Sequence, residues 1–393
     1  MRAKEFTFEA KARTRELGGF TVVPVAKIGD AEVDEAIGLN APHRSLGKGR
    51  DDEIGQFVDR TKTGTKTKKD RATMPYIHAS NIKITKDEDG NDTWDLKDLA
   101  SQVTTRPASI IGANGKMKKS TTAEELIVDL TLPALKGLVV DEETGEFVEI
   151  QTCPNAGACQ QYCYARQGNY IIFPASSMSA ARSLNFLVND PDGWFDLLRG
   201  ELYVMRTKSK ASGYSKLVVR WHDAGDFFSK EYLDKAFAIA REFPNVGFYA
   251  YTKSADAATS PDMPPNFKIN FSTGAERSQE KKIELHKSQG NTVKQAEVVP
   301  AEMFDDLVAR EGRKLIKDAQ GRTQFKDEQS FEVFKQRLAQ AYKVDPNSII
   351  TYDQMMAMPE GPQPKWNVVV QAGAGDRAAN RLDVINSFLM WHK

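Results

Sequence analysis

The amino-acid sequence predicts an α/β fold, a partial TIM-like βα barrel with an irregular α+β N-terminal region and a helical insertion. The first observation is an apolar run at 217–221 that ends in a polar, glycine-containing turn. The second is an amphipathic helix at 229–244, followed directly by a strand at 246–254. Strand, helix and strand joined by short connections are typical of a parallel sheet. A further strand at 266–274 continues this pattern, so we place the start of the barrel near residue 150.

The other elements of this core follow from local signals. Apolar residues recur with helical spacing at 177–190 and 192–209. Ser229 is placed to cap the helix that follows it, and Pro244 lies just past the end of that helix. A last strand is predicted at 365–373, and the residues after it have the pattern of a terminal helix.

Composition divides the chain into three parts. These are an irregular N-terminal region (1–150), a cysteine loop with the βα core (151–274 and 366–393) and a charged helical insertion (275–365). Short strands and turn signals such as Asp-Gly predict extended structure and hairpins in the first part. Its predicted elements are strands at 20–28 and 74–84 and hairpins at 86–96 and 139–150.

The 393 residues are 40% hydrophobic and 27% charged and carry no net charge, which allows a core and gives no overall basic footprint for nucleic acid. A Lys- and Thr-rich segment at 61–71 is either a solvated loop or an arm that contacts phosphate, so nucleic acid stays open as a partner. The chain starts without the apolar run of a secretory signal, and no stretch approaches the length of a membrane span. We therefore expect a cytoplasmic protein without a membrane partner.

All three cysteines of the chain, Cys153, Cys159 and Cys163, fall within eleven positions in the spacing C-x5-C-x3-C. Pro154 and Gly157 favour an irregular loop, on which several thiolates can converge on one point. In a reducing compartment such a group is a metal site rather than a disulfide framework. Thiolates suit zinc or iron–sulfur centres.

A zinc site and a 4Fe-4S cluster differ in the number of protein ligands that they need. A structural zinc site needs a fourth ligand, and no histidine of this chain lies at zinc-finger spacing from the cysteines. Three cysteines alone suit a 4Fe-4S cluster whose fourth iron stays open. We therefore expect a 4Fe-4S cluster, with zinc bound through a remote histidine or carboxylate, or thiols without metal, as the alternatives.

Polar residues follow the predicted strands where each strand ends, and in parallel α/β proteins the functional site lies at those carboxyl ends. Gly225 and Asp226 follow the first strand, and Thr252, Ser272 and Gln371 follow later ones. We expect these side chains to line a ligand site, although loops favour the same residue types without any function.

Five residues near the cysteines or the strand ends have open roles. Asp223 and Asp226 could form a carboxylate pair for metal or acid–base chemistry. His222 is either a zinc ligand, a proton-transfer group or a hydrogen-bonded structural histidine. Arg166 and Lys253 could each hold a carboxylate or phosphate, and the default expectation for both is a solvated surface charge.

Three segments, 153–170, 220–244 and 248–254, resemble the phage gene product 88 family. The motifs NGKMKKS at 114–120 and LTLPALKG at 130–137 resemble the lead-in to the cysteine loop in that family. The similarity covers roughly 110–275. It implies a phage-encoded protein that acts in the host cytoplasm.

A wider similarity is to radical SAM enzymes, in which three cysteines hold a 4Fe-4S cluster and the open iron binds S-adenosylmethionine. Tyr162 precedes the last cysteine, like the aromatic residue of the radical SAM loop, and Gly225-Asp226 is similar to the turn that holds the methionine amino group. The spacing departs from the usual C-x3-C-x2-C of those enzymes.

The function expected from these observations is a phage-encoded iron–sulfur protein with chemistry similar to that of radical SAM enzymes, acting on a small-molecule or macromolecular substrate. Cys153, Cys159 and Cys163 would ligate the cluster. The pocket for S-adenosylmethionine would be shaped by Tyr162, Gly225, Asp226, Thr252, Ser272 and Gln371. The alternative is a zinc-stabilised phage factor that binds nucleic acid or a host protein without catalysis.

Overall fold

The computed structural model describes residues 15–17, 20–27, 77, 81, 83–86, 88, 90, 92–161, 163, 165 and 173–390. Its residues cluster into two units. The N-terminal unit comprises 1–108, 132–152 and 161–196, and the sheet unit comprises 109–131, 153–160 and 197–393. The predicted boundaries at 150, 274 and 366 stay predictions.

The strands, in chain order, are β1 (Arg15–Leu17), β2 (Phe20–Lys27), β3 (Ile84–Lys86), β4 (Asp92–Trp94), β5 (Ile111–Gly112), β6 (Glu125–Leu130), β7 (Lys136–Asp141), β8 (Glu146–Gln151), β9 (Lys216–Trp221), β10 (Val246–Thr252), β11 (Phe267–Ser272), β12 (Gln295–Val299), β13 (Arg310–Glu311), β14 (Lys314–Leu315), β15 (Ile349–Thr351), β16 (Trp366–Val370) and β17 (Val384–Met390). The α-helices are α1 (Leu96–Thr104), α2 (Gly115–Ser120), α3 (Pro174–Asn189), α4 (Pro191–Ala211), α5 (Lys230–Glu242), α6 (Ala255–Ala258), α7 (Arg277–Ser288), α8 (Glu328–Tyr342), α9 (Tyr352–Ala357) and α10 (Arg377–Asn380).

The N-terminal unit contains an antiparallel sheet with the strand order β1-β2-β8-β7. Both predicted hairpins are confirmed, because β3 pairs with β4 and β7 pairs with β8, each antiparallel. Gly145 lies in the second turn with a φ of 67°, a left-handed conformation that glycine adopts without strain. The predicted strand at 20–28 is confirmed as β2, whereas most of 74–84 and all of 61–71 lie outside the described residues.

The sheet unit is built on a nine-stranded, mostly parallel sheet with the order β15-β16-β17-β12-β11-β10-β9-β6-β5. This confirms a mixed α/β fold. From β6 to β12 five parallel strands follow one another in chain order, which is the order of a βα barrel. No pair joins β15 to β5 among the described residues, so the barrel itself is not confirmed.

The two faces of this sheet differ in polarity. On one face, aromatic side chains pack beneath α5, with ring centroids of Phe248 and Phe267 at 5.7 Å and those of Phe237 and Phe267 at 5.4 Å. The predicted cap of α5 is confirmed, since the Ser229 side chain accepts a hydrogen bond from the main-chain N–H of Tyr232. Because side chains alternate along a strand, the opposite face carries Arg220 and its partners.

Two sequence-based expectations need correction or refinement. The segment after residue 373 is expected to be a terminal helix; Arg377–Asn380 does form the short helix α10, but Val384–Met390 forms the strand β17, paired in parallel with β12 and β16. Its apolar residues suit either structure, and the non-local pairing decides for a strand. The segment 275–365 contains α7, α8 and α9, but also β12, which lies within the sheet, and β15 at its edge. No helix of the described residues is long and apolar enough to cross a bilayer.

Candidate functional site

Asp226 is the buried centre of the turn that follows β9. Gly225 has a φ of 88°, a left-handed conformation that favours glycine at this position. Asp226 Oδ1 accepts hydrogen bonds from its neighbour Phe227 N (2.7 Å) and from Thr252 Oγ1 (2.6 Å), and Oδ2 accepts one from Lys253 N (2.7 Å). Burial raises the pKa of Asp226 to about 6, against the effect of these hydrogen bonds.

Lys253, at the end of β10, is held by the end of β11. Its Nζ donates hydrogen bonds to Ser272 Oγ (2.8 Å) and to the main-chain oxygens of Ser272 (2.9 Å) and Thr273 (2.5 Å). The default expectation of a solvated surface charge was therefore wrong for Lys253. Lys253 therefore connects two groups of predicted rim residues: its main-chain N–H donates to Asp226, which also accepts from Thr252, and its ammonium group donates to Ser272.

The cysteine loop is tied to the turn after β11 through main-chain hydrogen bonds. Gly274 O accepts from the N–H groups of Gly157 (3.2 Å) and Cys159 (3.0 Å), and Glu276 N donates to Asn155 O (2.9 Å). Gly157 has no room for a side chain, because a Cβ there would lie 2.3 Å from Ala275 O. This close approach gives a physical reason for glycine between the first two cysteines.

The Cys159 thiol lies in the electrostatic field of this cluster. Burial raises the pKa of the Cys159 thiol, while the nearby Lys253 charge lowers it and the Asp226 carboxylate raises it. We call Cys159, Asp226, Thr252, Lys253 and Ser272 the rim cluster. All five belong to the sheet unit and lie at the carboxyl ends of its parallel strands or on the loop tied to them.

The other two cysteines are placed differently. Cys153 begins the loop and its carbonyl accepts a hydrogen bond from Ala156 N (3.1 Å), whereas Cys163 belongs to the N-terminal unit. All three cysteines are partly exposed thiols outside any disulfide. Within the described part of the chain, no three His, Cys, Asp or Glu side chains are grouped so that they could share a metal ion.

The segment that carries these features identifies the family. The family model for gene product 88 matches residues 107–350, more than half of the chain. The chain belongs to the gene product 88 family. No curated protein and no solved structure matches the chain. The matched segment of this gene product 88 protein holds all five residues of the rim cluster.

Two carboxylates of this family segment were missed by the sequence reasoning. Glu280 Oε1 accepts a hydrogen bond from Gly274 N (3.0 Å), on the same turn that holds the cysteine loop. Burial raises the pKa of Glu297 to about 7, although a hydrogen bond from Thr273 lowers it. Both lie in the segment expected to be an insertion, and Glu297 lies on β12, a strand that the charged composition concealed.

Three other candidate residues do not belong to the rim cluster. Asp223 pairs with Arg220 at 3.2 Å, an ion pair outside the rim cluster, and its pairing with Asp226 stays a prediction. His222 Nε2 lies 2.8 Å from Tyr232 Oη, and burial lowers the pKa of this imidazole to about 3. These contacts favour the structural interpretation of His222. Gln371 follows β16, and its buried Oε1 has no hydrogen-bond partner among the described residues.

Two candidates, Tyr162 and Arg166, lie outside the described residues. The Lys- and Thr-rich segment 61–71, on which the nucleic-acid alternative was based, lies outside them too.

Proposed function

We propose that this gene product 88 protein is an iron–sulfur protein, encoded by a phage and acting in the host cytoplasm, that binds a 4Fe-4S cluster through Cys153, Cys159 and Cys163. One observation carries the proposal: the cysteine loop is tied to the end of β11, beside Lys253 and Asp226. A metal-binding loop in this place would present its open iron to the carboxyl edge of a parallel sheet, where ligands bind in such folds.

The donor chemistry fits an iron–sulfur cluster. Three thiols lie within eleven positions, none is in a disulfide, and iron–sulfur clusters take thiolate ligands. Because the described residues contain no group of three metal ligands, cluster binding requires the three thiols to converge. The raised pKa of Cys159 adds a second requirement, since the thiol must lose its proton to become a ligand.

The residues of the rim cluster would shape a site for S-adenosylmethionine next to such a cluster. When bound, a cluster of this type supplies one electron for the reductive cleavage of that cofactor. Both Asp226 oxygens already accept hydrogen bonds, so Asp226 would hold Thr252 and Lys253 in place in this site. Gly225, which has no side chain, would let the ligand approach the backbone. Ser272, with Tyr162 and Gln371, would complete the pocket.

Anaerobic reconstitution tests both levels of the proposal. Protein incubated with iron, sulfide and reductant is expected to gain the brown absorption of a cluster, and serine variants of Cys153, Cys159 and Cys163 to lose it. Added S-adenosylmethionine is then expected to yield 5′-deoxyadenosine. A brown protein that forms no 5′-deoxyadenosine would remove the radical chemistry but keep the cluster, and a protein that stays colourless would remove both.

A further inference from the structure

We propose that Lys253 is the positioning residue of the cysteine loop, because its ammonium group fixes the turn on which Cys159 is docked. The inference deepens the proposed function and rests on it for the role of the loop. The docking itself is a property of the described geometry, so the two proposals can fail separately.

The ammonium group of Lys253 binds the end of β11. Lys253 Nζ, which has three protons to donate, makes hydrogen bonds to Ser272 O, Ser272 Oγ and Thr273 O. Hydrogen bonds from a charged donor are stronger than those between neutral groups. The lysine therefore fixes two successive carbonyl groups at the point where β11 ends and the chain turns.

The turn after β11 presents a carbonyl group to the cysteine loop. Gly274, directly after Thr273, has a φ of 83°, which directs its carbonyl group to the loop. That oxygen accepts the N–H groups of Gly157 and Cys159, while Gly274 N donates to Glu280. The peptide groups around Gly274 are thus fixed by Lys253 and Glu280, and they present one acceptor to two amides of the loop.

Lys253 is itself held in position by Asp226, at the turn after β9. Lys253 N donates to Asp226 Oδ2, and Thr252 Oγ1 donates to Asp226 Oδ1. Hydrogen bonds, joined by the Lys253 side chain and the Thr273–Gly274 peptide, therefore connect the turn after β9 to the amide of Cys159. They link the ends of three parallel strands, β9, β10 and β11, to the cysteine loop.

Hydrogen exchange of the full chain, without added iron, tests this role. Lys253→Met removes the donor and keeps most of the side-chain volume. We expect exchange of the Gly157 and Cys159 amides to speed up by about tenfold to a hundredfold, with unchanged exchange in β6 and β9. Lys253→Arg, which keeps the charge and several donors, is expected to restore most of the protection.

Two matched variants complete the experiment. Lys282→Met removes an exposed ion pair with Asp256 and is expected to leave the loop amides unchanged. Gly157→Ala places a Cβ against Ala275 O and is expected to undock the loop directly. If Gly157→Ala speeds up the exchange of the loop and Lys253→Met leaves it within about twofold of the wild type, the proposal is overturned.

A folding defect in Lys253→Met would move the decision to Ser272→Ala, which removes only one acceptor of the ammonium group. Faster exchange at Gly157 and Cys159 by about threefold would then support the proposal, and unchanged exchange would overturn it. Iron loading of the wild type is measured separately, so a failure of the proposed cluster leaves this result interpretable.

Discussion

Two buried carboxylates of the sheet unit, Asp226 and Asp376, differ in the charges around them. Asp226 is surrounded mainly by neutral donors, and its pKa is raised to about 6. Asp376 lies between two cations, Arg220 and Lys116, whose nearest nitrogens are 2.9 Å and 2.8 Å from its oxygens. Burial alone would raise the pKa of Asp376, but these two positive charges hold it well below its usual range.

The two carboxylates also differ in how completely their charge is compensated. Asp376 also accepts hydrogen bonds from Tyr249 Oη (3.0 Å) and Tyr251 Oη (2.8 Å), so its charge is fully compensated and anchors the chain just before α10. We call Asp376, Arg220, Lys116, Tyr249 and Tyr251 the Asp376 cluster. Asp226 keeps an incompletely compensated charge beside a thiol, which is typical of a site whose protonation state can change.

The largest expected effect is that of Asp376→Asn. Loss of this charge removes the nearer of the two carboxylates that pair with the buried Arg220, so we expect the free energy of unfolding to fall by about 3–5 kcal/mol at neutral pH. Because the pKa of Asp376 is lowered in the folded protein, the stabilisation by its charge is complete above the usual carboxyl pKa and is lost as the pH falls below that value. Chemical denaturation of the wild type and the variant measures the difference in the free energy of unfolding.

The control is Asp256→Asn, which removes the exposed pair with Lys282 and should cost about 0.5 kcal/mol or less. A loss of less than about 1 kcal/mol in Asp376→Asn would show that the Asp376 cluster does not anchor the fold.

The second largest expected effect concerns Asp226, whose ionisation lowers the stability of the fold as the pH rises, whereas the charge of Asp376 raises it. Its pKa rises from 3.8 to about 6 on folding, so the wild type loses stability as the pH rises through this range and the carboxyl group ionises. Asp226→Asn cannot ionise. The unfolding free energy of this variant minus that of the wild type should therefore rise by about 2–3 kcal/mol between about pH 4 and about pH 7.

The exposed Asp234, which pairs with Lys230, gives the matched control, since Asp234→Asn should follow the wild-type curve. Parallel curves for Asp226→Asn and the wild type would mean that Asp226 is already fully compensated in the folded protein.

The smallest expected effects come from removing one hydroxyl group in the rim cluster and one in the Asp376 cluster. Thr252→Val removes the donor to Asp226, and Tyr251→Phe removes one of the donors to Asp376. Each should cost about 1 kcal/mol. Because a hydrogen bond to a carboxylate favours its charged form, the cost of Thr252→Val should grow as the pH rises through about 6. The cost of Tyr251→Phe should stay constant there, and the reverse pattern in thermal unfolding would contradict the comparison.

Much of the sheet could be predicted because its signals are local. The apolar run at 217–221, the cap at Ser229 and the hairpin glycine at 145 each act within a few residues. The strand β17 could not be predicted in this way, since its apolar residues suit a helix as well and only pairing with β12 and β16 decides.

The candidate site could be predicted only in part for a related reason. Asp226, Thr252 and Ser272 follow buried strands, which is a visible pattern. Besides Ser272 Oγ, Lys253 Nζ donates to two main-chain oxygens about twenty positions away, and main-chain groups leave no mark in a sequence. Lys116 and Asp376 are 260 positions apart, so their pairing depends on the complete fold.

The most direct test of cluster binding is the content of iron and acid-labile sulfide per chain, measured on protein purified without oxygen. We expect about four of each per chain in the wild type. We expect Cys159→Ser to lose most of both, with unchanged secondary structure. One zinc per chain without sulfide, or equal iron in the wild type and in a variant with all three cysteines replaced by serine, would contradict cluster binding.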